Sequence, residues 1–114
     1  MVGLVALLPL VAQTGERREI VIVAKQMAFF DSDGVRNPTI QVKPGERIMI
    51  SFINEDPGFS HDLAIPAWSV TTPLIAGVGN TSIQFDAPTR PQKTRYICST
   101  HALMMVGEIE VVPE

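Results

Sequence analysis

The chain predicts an all-β domain, a Greek-key β-sandwich of about seven or eight short strands. Three observations lead there. β-branched and alternating apolar runs of strand length recur along it. Turn chemistry separates them, with eight glycines and nine prolines falling mostly between the runs. Beyond the N-terminus no segment sustains a helical period. At 114 residues the chain is one domain with a thin two-layer core. A small closed barrel is the other closure open to the same strands.

The elements follow in order. Val2 to Ala12 is apolar apart from Gly3 and is broken by Pro9. It is too short to cross a bilayer and lacks strand alternation. Its length and small-residue end suit the apolar part of an export signal or the remnant of an anchor, although no positive segment precedes it. Residues 1–18 are therefore read as signal or anchor remnant plus polar linker, and residues 19–114 as the folded domain. Glu19 to Lys25 contains a β-branched I-V-I-V run, the mark of a buried strand. Thr39 to Val42 is a second strand. Lys43-Pro44-Gly45-Glu46 has Pro and Gly where a type II turn needs them. Arg47 to Asn54 alternates, with Ile48, Ile50 and Phe52 on one face and Met49, Ser51 and Ile53 on the other. Asp62 to Ile65, Ser82 to Asp86, Lys93 to Cys98 and Val106 to Val112 complete the set. The longest irregular stretches are Asp31 to Pro38 and Pro66 to Asn80. The second lies between His61 and Cys98 and is expected to cover part of one pole of the sandwich.

Composition removes several function classes. The net charge is −3, and no basic arm, aromatic–lysine stripe or phosphate-cradling glycine loop is present. Nucleic acid and nucleotides are not expected partners. A single cysteine excludes an internal disulfide.

That cysteine is the informative residue. The run Y-I-C-S-T-H-A-L-M-M-V-G-E-I-E-V holds Cys98, His101 and Met105 in one strand-to-strand loop, and His61 follows a turn-rich loop after another strand. One thiolate, two imidazoles and a thioether are the donor set of a mononuclear electron-transfer copper site. The thiolate is soft enough for Cu(I), the imidazoles suit Cu(II), and a weak axial methionine favours neither strongly. Taken singly, each residue has a plainer reading: a buried thiol, a satisfied histidine, a methionine filling a core gap. Their joint spacing, C-x2-H-x3-M opening the last strand, favours the metal site. Zinc accepts Cys and His equally well, but it has no use for a thioether and in structural sites takes four strong ligands.

These residues resemble the cupredoxins, the small blue copper proteins, over roughly residues 20–112. V-K-P-G-E-R-I-M-I-S-F-I-N is similar to the family's strand–turn–strand ending in Asn. E-D-P-G-F-S-H-D is similar to the loop carrying its first histidine ligand, and the Cys98 run to its Cys–His–Met loop. The resemblance implies one copper ion, with His61, Cys98 and His101 equatorial and a methionine axial. The family's M-x-G frame matches Met105-Val106-Gly107 and not Met104. H-D-L-A-I-P-A-W and F-D-A-P-T-R-P also resemble the copper domain of cytochrome oxidase subunit II, but a binuclear centre there needs two cysteines. Two positions depart from the family. Asp62 stands where Asn is common, and a carboxylate cannot donate a hydrogen bond across the site. Thr100 stands where Pro is common, and restores an N–H that is expected to point at the Cys98 sulfur. The first change is expected to lower the redox potential and the second to raise it.

The expected function is a one-electron carrier, not an enzyme, because the donor set leaves no open position for substrate. A copper-storage protein or an accessory copper domain of a respiratory oxidase is the alternative. The expected setting is extracytoplasmic, at the periplasm or outer membrane face, with the N-terminal segment either removed or serving as a membrane tether. The expected partners of this monomer are redox proteins bound weakly, with Pro57, Phe59, Ala102 and Leu103 forming a docking patch around His101.

Overall fold

The computed structural model describes residues 17–113. The apolar N-terminal run and most of its linker lie outside them. Among the described residues eleven strands and one 3-10 turn are formed: β1 (Arg18–Lys25), β2 (Ala28–Phe30), β3 (Ile40–Val42), β4 (Arg47–Asn54), β5 (Ser60–His61), β6 (Ala64–Ile65), β7 (Val70–Thr71), β8 (Ile75–Ala76), β9 (Gly79–Asp86), β10 (Gln92–Ile97) and β11 (Val106–Val111), with the turn at Pro66–Trp68 before β7. Two sheets, β2-β1-β4-β9 and β3-β11-β10-β6-β7, face each other. A short pair, β5-β8, is set apart from both. The chain crosses between sheets, so β4 returns parallel to β1 and β11 lies parallel to β3. This is the all-β sandwich expected.

Alternation decides what lies inside. Ile48, Ile50 and Phe52 of β4 are fully buried, as are Ile22 of β1, Tyr96 of β10 and Ile109 of β11. Phe29 of β2 stands between the sheets, its ring centroid 5.1 Å from that of Tyr96 and 6.3 Å from that of Phe52. Tyr96 is buried against these rings, which pushes its phenol up, and its hydroxyl donates to the Pro38 carbonyl.

The strand count exceeds the expected seven or eight because four very short strands form where no alternation can show. β2, β5, β7 and β8 have two or three residues each and exist only through their partners. Asp62 to Ile65, read as one strand, is instead broken. Only Ala64–Ile65 pairs in the sheet, because Asp62 turns to Ser99 and the Leu63 amide donates to Thr72 Oγ1 at 3.0 Å. Arg17 and Arg18, assigned to the linker, belong to the fold. Arg17 Nη1 bonds the Phe85 carbonyl at 2.8 Å, and β1 begins at Arg18.

The 43–46 turn forms as read, with Gly45 at φ 68° and the Glu46 amide donating to the Lys43 carbonyl at 3.1 Å. Glu46 locks it. Its carboxylate takes Arg18 Nε at 2.8 Å and Nη2 at 3.1 Å, and the Lys43 amide at 2.9 Å. The Arg18 contact, opposed by partial burial and aided by the Lys43 amide, holds this carboxyl below its ordinary value of 4.5. A depressed folded-state pKa adds stability above the unfolded value and loses it as pH falls through the folded value. Glu46→Gln is therefore expected to melt below the parent at neutral pH, with the gap closing below pH 4.5. Thermal melts across that window check this; a gap that holds constant into acid would contradict it.

Candidate metal centre

β4 ends on Asn54, whose in-facing side chain continues the Ile48, Ile50, Phe52 row. Buried and polar, it must find partners. Its Nδ2 donates to the carbonyls of Phe59 at 2.9 Å and Ile75 at 3.0 Å, and its Oδ1 accepts the Asp56 amide at 2.8 Å. One side chain thus ties the 55–59 loop to β8. β5 leaves that loop paired to β8, with His61 opposite Ile75. His61 is fully buried, and its Nε2 lies 2.8 Å from Asp56 Oδ2. Partial burial works against the charged form of Asp56, but the Gln26 amide, the His61 ring and the Met27 amide outweigh it and hold the carboxyl below its ordinary range.

β10 delivers Cys98 one residue past its end, fully buried. The loop then folds on its own main chain. His101 N donates to the Cys98 carbonyl, Met105 N to the His101 carbonyl and Cys98 N to the Met105 carbonyl, at 3.1, 2.8 and 3.1 Å. Cys98 Sγ stands 3.7 Å from His61 Nδ1 and 3.6 Å from His101 Nδ1. The three donor atoms all lie within 4.8 Å of one another, and His101 is partly exposed. Met105 is fully buried directly before β11, whereas Met104 is 54% exposed. The structure therefore brings His61, Cys98 and His101 together, and turns Met105, rather than Met104, toward the interior.

No family model matches the sequence, and no curated protein matches it either. Solved structures do. The reduced auracyanin of Roseiflexus castenholzii superposes with a TM-score of 0.70 at 19% identity, covering 87% of this chain and all of that one. Auracyanin A of Chloroflexus aurantiacus, described as a "blue" copper protein, gives 0.69 at 18% identity over 85% of this chain and all of that one. Reduced rusticyanin gives 0.57 at 24% identity, over 86% of this chain and 81% of that one. The chain has the cupredoxin fold. The likeness lies in the sandwich; the chemistry has to be read from this chain's own side chains.

Those side chains fit one copper ion. A soft sulfur and two imidazole nitrogens converge from two braced loops. The two departures from the usual cupredoxin sequence resolve differently from expectation. Asp62 does brace the site, with the polarity reversed: its carboxylate accepts the Ser99 amide at 2.7 Å and the Ser99 hydroxyl at 2.6 Å. This clamps the residue after His61 to the residue after Cys98. At Thr100 it is the hydroxyl that stands near the sulfur, 3.3 Å from Cys98 Sγ, 3.0 Å from His101 Nδ1 and 3.2 Å from the Ser60 carbonyl.

Sequence reasoning missed Asn54 and Asp56 as organisers of this cupredoxin-fold site. Asn54 was visible as a polar residue in an apolar row. Asp56 carried no such signal. The proposed docking residues are not core. Phe59 is 49% and Leu103 99% exposed, and Pro57 and Ala102 are exposed as well. The Phe59 ring stacks near that of His61 at 6.3 Å and meets that of His101 edge-on at 6.4 Å.

Proposed function

We propose that this protein is a mononuclear type 1 copper electron carrier, working outside the cytoplasm between redox partner proteins. The observation that carries the reading is the convergence of His61, Cys98 and His101, whose donor atoms lie within 4.8 Å of one another, with Cys98 Sγ 3.7 and 3.6 Å from the two Nδ1 atoms. Met105 is the axial ligand in this proposal. Copper bound there would supply a one-electron couple.

The chain's part is to hold the donors still. Electron exchange is fast when the oxidised and reduced states need the same geometry. The Asn54, Asp62 and main-chain bonds oppose rearrangement on both loops. Buried His61 and Cys98 keep water away, while the partly exposed His101 edge is the port for the electron. The apolar Phe59, Leu103 and Ala102 around it suit a brief, weak encounter with another redox protein. A full donor set argues against an enzyme.

The test is the visible spectrum of the oxidised, copper-loaded protein. An intense thiolate-to-copper band is expected, with a reversible potential on voltammetry. Tight Cu(I) binding without a stable Cu(II) form would favour storage instead, and no metal binding would end both readings.

The axial assignment has its own check. Met105→Leu is expected to keep copper and the band but raise the potential, since a weak donor to Cu(II) is lost. Met104→Leu, at an exposed position, is expected to change stability by no more than about 0.5 kcal/mol and leave the potential in place. A larger potential shift from Met104→Leu would reverse the assignment.

A further inference from the structure

We propose that Asp56 is a positioning residue of the metal site: its carboxylate fixes His61 as the Nε2–H tautomer and drives electron density toward Nδ1, biasing the site toward Cu(II). The redox half of this rests on the copper reading above; the tautomer half does not.

The geometry is specific. Asp56 Oδ2 lies 2.8 Å from Nε2 of a ring that is fully buried. A carboxylate only accepts, so the proton sits on Nε2. In the neutral ring Nδ1 then keeps its lone pair, on the side where Cys98 Sγ stands at 3.7 Å. The carboxylate is itself held. Oδ1 accepts the Gln26 amide at 2.8 Å, Oδ2 lies 3.5 Å from the Met27 amide, and the Asp56 amide is bound to Asn54 Oδ1 at 2.8 Å.

The donors come from a costly piece of backbone. Gln26 and Met27 form the two-residue turn between β1 and β2, with φ of 53° and 60°. Such turns favour Asn-Gly, because side chains beyond Gly, Asn and Asp rarely enter the left-handed region. Two ill-suited residues are kept there with their amide groups on the Asp56 carboxylate. Backbone strain of this kind marks a position that the surroundings over-determine, often at a functional site. His101 is placed differently: among the described residues no carboxylate pairs with its ring, and the neutral Thr100 hydroxyl, 3.0 Å from Nδ1, stands on the ligating side. A carboxylate behind the ring therefore strengthens the buried imidazole alone.

A carboxylate behind a ligating histidine raises the ligand's basicity, and its loss commonly costs about 10–100-fold in metal affinity. Here the loss falls mainly on Cu(II), the more highly charged ion. A tenfold loss confined to Cu(II) equals an upward shift of about 59 mV for a one-electron couple.

Nitrogen-15 NMR of the metal-free parent protein tests the first half without any variant. His61 is expected as the Nε2–H tautomer with a slowly exchanging ring proton; the Nδ1–H tautomer would overturn the proposal. Voltammetry of copper-loaded Asp56→Asn tests the second. A folded variant that keeps the thiolate band should show the potential raised by about 59 mV or more. Glu55→Gln removes a neighbouring exposed carboxylate that does not touch the ring, and should move the potential far less. An unchanged potential in Asp56→Asn, or an equal shift in Glu55→Gln, would overturn the redox half. Absence of a thiolate band in the parent protein would instead overturn the copper reading and the redox half with it, leaving the tautomer result to decide the positioning.

Discussion

Cys98→Ser is expected to leave a folded sandwich that has lost its visible band entirely. The chain has one thiol, and it is fully buried where both imidazoles meet. No second sulfur of that charge can take its place. A serine oxygen is a harder, weaker donor, and the thiolate-to-copper transition that gives the band has no counterpart in it. The fold should survive, because the change is nearly isosteric and Thr100 Oγ1, 3.3 Å from Sγ, offers the new hydroxyl a partner. A cost of about 1–3 kcal/mol is the range for burying a hydroxyl that is poorly paired. Absorption, circular dichroism and a melt on the same sample separate the outcomes. A band that persists in Cys98→Ser would end the copper–thiolate reading.

Gly107→Ala is expected to be the most damaging small substitution in the sandwich. Gly107 of β11 lies opposite Tyr96 of β10. A Cβ there would come within 2.3 Å of Tyr96 Cζ and Oη and 2.6 Å of Cε1. The ring cannot step aside, because Phe29 packs on it and its hydroxyl is bound to the Pro38 carbonyl. Overpacking of this kind costs about 1–3 kcal/mol, and a displaced tyrosine forfeits about 1 kcal/mol more with its hydrogen bond. For a domain of this size each kcal/mol lowers the melting temperature by about 4–8 °C. The strain also reaches the site, since Gly107 follows Met105 by two residues and Tyr96 precedes Cys98 by two. Adding Tyr96→Leu to Gly107→Ala should recover part of what the glycine change alone removes, as expected for directly coupled positions. A Gly107→Ala protein that melts within about 2 °C of the parent would show that the ring yields more easily than its contacts imply.

The sequence by itself determined the layered architecture and singled out the candidate donors. β4 was legible to the residue because eight positions alternate cleanly, and burial of every second side chain is a local property of an extended chain. Cys98, His101 and Met105 were legible because one short loop holds them all, and His61 because it is the only other histidine. The tertiary structure alone decided what fixes those donors. The clamp between Asp62 and Ser99 joins residues 37 apart, and the sequence put that bracing in doubt because it reveals which atoms can donate but not which will meet. Asp56 reads as one acid in a turn-rich loop until β1 and β2 bring the Gln26 amide to its carboxylate, 30 residues away in the chain. The strands β7 and β8 have too few residues to carry a period, so their pairing partners create them. Gly107 was visible as part of a pattern, but its reason is the Tyr96 ring on the neighbouring strand. In each case the missing information was a long-range contact, and such contacts are set by how the two sheets close on each other rather than by any run of neighbouring residues.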